Sequence, residues 1–141
     1  MKKVLKFKRD ARKKQTAEVF TPQILVREIL NKLPKDVWEP GKTFCDPSAG
    51  NGNFLVEVLK YKVVLYKQDP IEALETIYGV ELMKDNVIEC RHRLFNLMKK
   101  LFSLCGKKRT QKDNKKIIEI LKNNIVCADA LTFNFWERKL I

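Results

Sequence analysis

Three acidic side chains stand where a sequence could do chemistry. Asp46 closes the apolar run Thr43-Phe44-Cys45, Glu81 lies near the end of the run 77–82, and Asp129 follows Ile125-Val126-Cys127. Asp46 also opens the turn Pro47-Ser48-Ala49-Gly50-Asn51-Gly52, after which a helical pattern starts at Asn53. Gly50 and Gly52 carry no Cβ, so the backbone can bend sharply and come close to a ligand. A helix beginning straight after such a turn offers free N–H groups and a partial positive charge. An acid ahead of the turn would repel a phosphate, so these residues favour a cationic or amine-bearing ligand. An acid at a strand–helix junction often serves as a helix N-cap, but three at three junctions point beyond capping.

The elements that position these acids alternate. Thr21-Pro22 signals a helix start, with Thr21 as N-cap and Pro22 at the first helical position, and the apolar stripe Ile24, Leu25, Ile29, Leu30 and Leu33 runs up to Pro34. A strand over 43–45 is followed by a helix from 53 to about 66 with Phe54, Leu55, Val58 and Leu59 inward. Asp69 caps a short helix over 70–76, and 77–82 is a second strand. The longest helix runs from 84 to about 104 on the stripe Val87, Leu94, Met98, Leu101 and Cys105. A basic loop over 106–114, a helix over 115–122 and a strand over 125–127 complete the pattern. Strands separated by helices predict an α/β fold with a parallel sheet. In such sheets ligands bind at the C-terminal strand ends, where all three acids fall.

The net charge of +12 over 141 residues is concentrated in two places. Residues 1–14 hold eight Lys/Arg against Asp10, and residues 91–116 hold ten against Asp113, so the remainder is mildly acidic. This distribution predicts contact with a nucleic-acid backbone through the arm 1–14 and the loop 106–116. No apolar run is long enough to cross a membrane, no apolar stripe accompanies the arm, and no leader-like segment opens the chain; the expectation is a cytoplasmic protein without membrane contact. The four cysteines are widely spaced and read as reduced and mostly buried, Cys45 among them, with no metal site. His92 reads as a surface residue, and Trp38 as packing on the sheet edge.

The segment Asp46-Pro47-Ser48-Ala49-Gly50-Asn51-Gly52-Asn53-Phe54 resembles the cofactor loop of S-adenosylmethionine-dependent DNA adenine-N6 methyltransferases. Three more segments resemble that family in order: Phe20-Thr21-Pro22 before the loop, Tyr78-Gly79-Val80-Glu81-Leu82 at strand two, and Cys127-Ala128-Asp129-Ala130-Leu131 at strand three. The resemblance implies a partial Rossmann-like parallel sheet of about three strands in the order 3-2-1. Residues 1–15 lack a sustained apolar face and are expected to form a basic flexible arm ahead of a single partial domain over 16–141. The resemblance implies S-adenosylmethionine as cofactor, held by Phe20, Thr21, Pro22, Asp46, Pro47, Gly50, Gly52, Phe54, Glu81, Leu82, Asp129 and Ala130. Asp46 would lie nearest the positive methionine portion, Glu81 on the ribose hydroxyls and Asp129 on the adenine amine.

The family's catalytic element, a polar residue followed by Pro-Pro and an aromatic, occurs nowhere in these residues; Asn134-Phe135-Trp136 has the right types without the prolines. The expected function is therefore the cofactor-binding part of a DNA adenine-N6 methyltransferase, with transfer depending on a catalytic half from elsewhere and no catalytic residue assigned in this chain. The alternative is a non-catalytic cofactor-binding or regulatory subunit acting through protein contact. With no fourth strand beside it, strand one would be an open edge, which predicts a protein partner or self-association there.

Overall fold

The computed structural model describes residues 20–135 and 137. The expected arm over 1–15, Trp136 and the last residues lie outside them. The elements are α1 (Gln23–Asn31), a 3-10 turn (Lys35–Trp38), β1 (Phe44–Asp46), α2 (Asn53–Lys60) continuing as a π-helical turn (Tyr61–Leu65), α3 (Pro70–Glu75), β2 (Ile77–Glu81), α4 (Lys84–Leu104), α5 (Gln111–Asn124) and β3 (Ile125–Cys127).

The three strands form one parallel sheet flanked by helices. Phe44 pairs with Ile77 and Asp46 with Gly79, while Gly79 pairs with Ile125 and Glu81 with Cys127. The order along the sheet is β1-β2-β3, which corrects the expected order 3-2-1. Each helical crossover returns the chain to the neighbouring position, so the strands follow the sequence. The reversal that permutes a doubly wound sheet is not present among the described residues. The centre is β2, where Ile77, Gly79, Val80 and Glu81 are all buried; β1 is partly exposed, as an edge strand is.

The core is built by helices laid on this sheet. Val87, Cys90, Leu94, Leu97, Met98 and Leu101 form the buried stripe of α4, at the three- and four-residue spacing that one helical face requires. Cys105, expected on that stripe, is the exposed C-cap. Leu55, Val58 and Leu59 of α2 are buried, and Ile117, Ile120 and Leu121 of α5 close the far side. In α1 the buried face is Val26 and Leu30; of the expected stripe, Leu30 is buried and Leu33 half-buried on the core. Ile24, Leu25 and Ile29 are exposed; α1 packs chiefly on α2, and Ile29 faces the hollow beside β1. Glu57 fastens that contact, accepting hydrogen bonds from Gln23 (2.7 Å), Arg27 (3.1 Å) and Lys60 (3.1 Å). Burial works to raise the Glu57 carboxyl, but these three donors outweigh it and hold it below its ordinary value.

Element ends follow local chemistry. Asp69 accepts from Ile71 N and Glu72 N to cap α3. Pro22, not Thr21, occupies the N-cap position of α1, and no side chain caps it. Helix α5 starts at Gln111, four residues earlier than expected, because Thr110 and Asp113 form a capping box. The basic loop is correspondingly short. Trp38 is buried against Phe44 (4.8 Å) and Tyr66 (5.4 Å), packing on β1 as the sequence suggested. Of the cysteines only Cys90 is buried; Cys45, Cys105 and Cys127 are exposed, correcting the expectation of a mostly buried set. Cys45 is exposed because its strand has no outer neighbour among the described residues.

Candidate cofactor site

The glycine turn is pinned on three sides. Ser48 N donates to Asp46 Oδ1 (3.0 Å), Ala49 N donates across to Val80 O of β2 (3.0 Å), and Gly52 N donates to Ala49 O (2.9 Å). Gly50 and Gly52 take φ values of +55° and +93°, in the left-handed region that disfavours side chains. Their neighbours are protein groups. A Cβ on Gly50 would stand 3.1 Å from the Phe20 ring, and one on Gly52 would stand 2.8 Å from Cys90 Sγ. The close approach that the glycines permit is thus, first of all, that of Phe20 and of helix α4.

Phe20 and Thr21 lie against this turn. Besides the Phe20 contact, Thr21 O accepts from Asn53 Nδ2 at 2.8 Å. Pro22 itself is exposed.

The parallel register brings the three acids to one end of the sheet. Asp46 pairs with Gly79, two residues before Glu81, and Glu81 pairs with Cys127, two residues before Asp129. Burial pushes the Asp46 carboxyl above its ordinary value; the Ser48 N–H opposes this and the nearby Glu81 charge adds to it. Glu81 is buried, and its Oε2 accepts from Asn86 Nδ2 at 2.7 Å. Asp129 is exposed, with Oδ1 accepting from Leu131 N at 2.9 Å. Leu82 is exposed and Ala130 half-buried beside these acids, while Cys127 Sγ donates to Leu82 O. Pro47 and Phe54, together with Asp46 itself, line an apolar hollow of about 270 Å³ on the outer side of β1, whose other walls include Ile29, Leu33, Phe44 and Val58.

Two residues that sequence reading missed hold this arrangement. Arg93, from α4, donates through one nitrogen to Asn51 O (3.0 Å) and Asn53 Oδ1 (2.7 Å), clamping the turn from across the molecule. Asn86 is fully buried and orients Glu81. Asn86 follows Glu81 by five residues on the next helix, a local spacing that could have drawn notice; Arg93 lies some forty residues from its partners and carries no such signal.

The acids concentrate negative charge and hydrogen-bond acceptors at one sheet end, and Asn51 Oδ1 in the turn is a further buried acceptor without a hydrogen-bond partner. The arrangement therefore suits a ligand bringing positive charge and N–H or O–H donors. No group of three metal-ligating side chains occurs among the described residues.

A parallel α/β sheet with flanking helices and such a turn defines a Rossmann-like methyltransferase domain. Residues 4–102 match the family described as N-6 DNA Methylase, and the chain belongs to that family. A 41-residue stretch, 29% of this chain, is 46% identical to the Type II methyltransferase M.VspI of Vibrio sp. (strain 343), and covers 10% of that protein. The match thus takes in about a tenth of that relative's length. No solved structure matches the chain. No helix among the described residues is long and apolar enough to cross a membrane.

Proposed function

We propose that this chain binds S-adenosylmethionine at the carboxyl ends of its three strands and forms the cofactor part of a DNA adenine-N6 methyltransferase. The observation that supports this most is the convergence of Asp46, Glu81 and Asp129 at one end of the sheet, beside a turn shaped by Gly50 and Gly52 and covered by Phe20. The ligand's sulfonium, ammonium, ribose diol and adenine amine are the cations and donors that such a set of acceptors takes. When bound, it supplies an electrophilic methyl group. Asp46 offsets the positive methionine portion, Glu81 accepts from the ribose hydroxyls while Asn86 holds its other oxygen in place, and Asp129 accepts from the adenine amine. Phe20, Thr21 and Pro22 cover the methionine end, and Leu82 and Ala130 flank the adenine ring. Residues 16–141 act as one partial domain, with the basic arm ahead of it.

Binding is all that these residues supply. No polar-Pro-Pro-aromatic element is present to accept from the target amine and stack on a flipped base. Because positioning provides much of the rate in such a transfer, methylation requires a catalytic half from another part or chain. The open outer edge of β1 favours a second reading, a cofactor-binding subunit that regulates a partner by contact. A methyl-transfer assay on adenine-containing DNA separates the two. The purified 141 residues alone should transfer nothing, and addition of a cognate catalytic half should restore transfer under the first reading only. Methylated DNA from the isolated chain would contradict both.

A further inference from the structure

We propose that the end of the molecule opposite the strand carboxylates carries a second ligand site, which takes the phosphodiester backbone of a DNA duplex. Helix α4 starts at Lys84, just past Glu81, and runs 21 residues, so its far end lies about 30 Å from the acids. There, Lys99, Phe102, Lys107, Lys108, Arg109 and Asn114 line a hollow of about 660 Å³.

The hollow has a fixed frame. Arg109 donates to Phe95 O at 2.7 Å and stacks 4.2 Å from the Phe95 ring. Lys107 N donates to Phe102 O (2.9 Å), and its ammonium pairs with Asp69. The capping box at Thr110 fixes the start of α5. The chain linking the two helices is therefore held at both ends.

The frame leaves Lys99 and Lys108 beside the hollow with no acidic partner among the described residues. Of the acids nearby, Asp69 is engaged by Lys107 and Asp113 by its own cap, while Glu72 acts on the same Lys107 ammonium. Arg109 spends one nitrogen on Phe95 O, and the Asn114 amide oxygen is buried. Lysines acting as point charges suit phosphates and carry no base code. Family membership makes DNA the polyanion at hand.

Placement separates this site from the cofactor end. Lys99 and Leu104 stand 15 and 20 residues along α4 from Lys84, about 22 and 30 Å. At 3.4 Å per base pair, the segment held here lies roughly six to nine base pairs from a nucleotide at the cofactor end. This contact tethers flanking duplex; it does not present the target. The proposal shares the DNA reading made above but does not depend on cofactor binding.

The test measures binding of a fluorescent 25-base-pair duplex to the full chain, without cofactor, between 50 and 200 mM salt. The variant Lys99→Gln/Lys108→Gln should lower the slope of log K against log salt by about 1.8, or about 0.9 for each lost phosphate contact. A control that removes equal charge on another surface, Lys32→Gln/Lys35→Gln, should leave the slope near wild type. An unchanged slope in the first variant, or an equal fall in the control, overturns the proposal. So does displacement of the duplex by poly-glutamate at equal charge, which would assign the hollow to an acidic protein. Calorimetry with S-adenosylmethionine on the same variants should show unaltered affinity, which keeps this result independent of the cofactor reading.

Discussion

Glu81 and Asp129 share a register and end of sheet but not an environment, and their replacements should separate. Glu81→Ala removes the acceptor of a buried Asn86 amide, so it should lower stability by about 1–3 kcal/mol in denaturant titration as well as weaken cofactor binding. Asp129→Ala sits at an exposed turn and should leave stability within about 0.5 kcal/mol while costing roughly tenfold or more in affinity. Arg93→Ala should release the turn. Amide exchange at Gly50, Asn51 and Gly52 should rise even in the absence of ligand, and Arg93→Lys should restore it only in part, since one ammonium on a flexible stem replaces a rigid planar donor. Equal protection in wild type and Arg93→Ala would show that the turn needs no clamp. The three acids were legible because each follows a short apolar run. Arg93 was not, because its partners lie across the fold and nothing local in Arg91-His92-Arg93 marks which side chain turns inward.

Among the elements, the π-helical turn after α2 has the clearest measurable consequence. It carries Lys62 into full burial, where Nζ donates to Lys42 O (2.6 Å) and Thr76 Oγ1 (2.7 Å), tying together the segments that lead into β1 and β2. Burial pushes the Lys62 ammonium down to about 8. Its unfolded counterpart titrates near 10.4, so between these values the unfolded chain binds the additional proton and stability should rise with pH. A gain on the order of 1–2 kcal/mol from pH 8 to 10.5, absent in Lys62→Met, is the expected result of chemical denaturation. A flat profile in the wild-type protein would remove Lys62 from the account. The extents of α4 and β3 could be read almost to the residue, because α4 keeps a long apolar period and β3 is a bounded β-branched run. The buried face of α1 could not. Its apolar residues spread around the helix, and the choice of Val26 over Ile24 is made by α2, not by periodicity. The early start of α5 was readable in Thr110-Gln-Lys-Asp113, a capping signal that the surrounding lysines masked.

For the whole molecule, the open question in the sheet is the outer side of β1. That strand pairs only with β2 among the described residues, and apolar hollows of about 270 and 350 Å³ flank it, meeting at Leu33 and Phe44. Exposed Ile29 lines the first of these hollows. An edge of this kind recruits another strand. Light scattering should give a mass above the 16.6 kDa of one chain, with the Cys45 amide protected in the associated form. A strict monomer whose Cys45 amide exchanges freely would contradict this. The α/β class followed from strands separated by helices. The order of strands along the sheet did not, because a permuted order depends on a strand beyond β1 that local patterns cannot supply. The central claim, cofactor binding at the strand ends, is tested most directly by following backbone amide resonances of the chain during titration with S-adenosylmethionine. The account predicts saturable shifts at Gly50–Asn53, Glu81–Leu82 and Asp129–Ala130, with little change at Lys107–Arg109. No shifts at millimolar ligand, or shifts confined to the hollow beside β1, would contradict it.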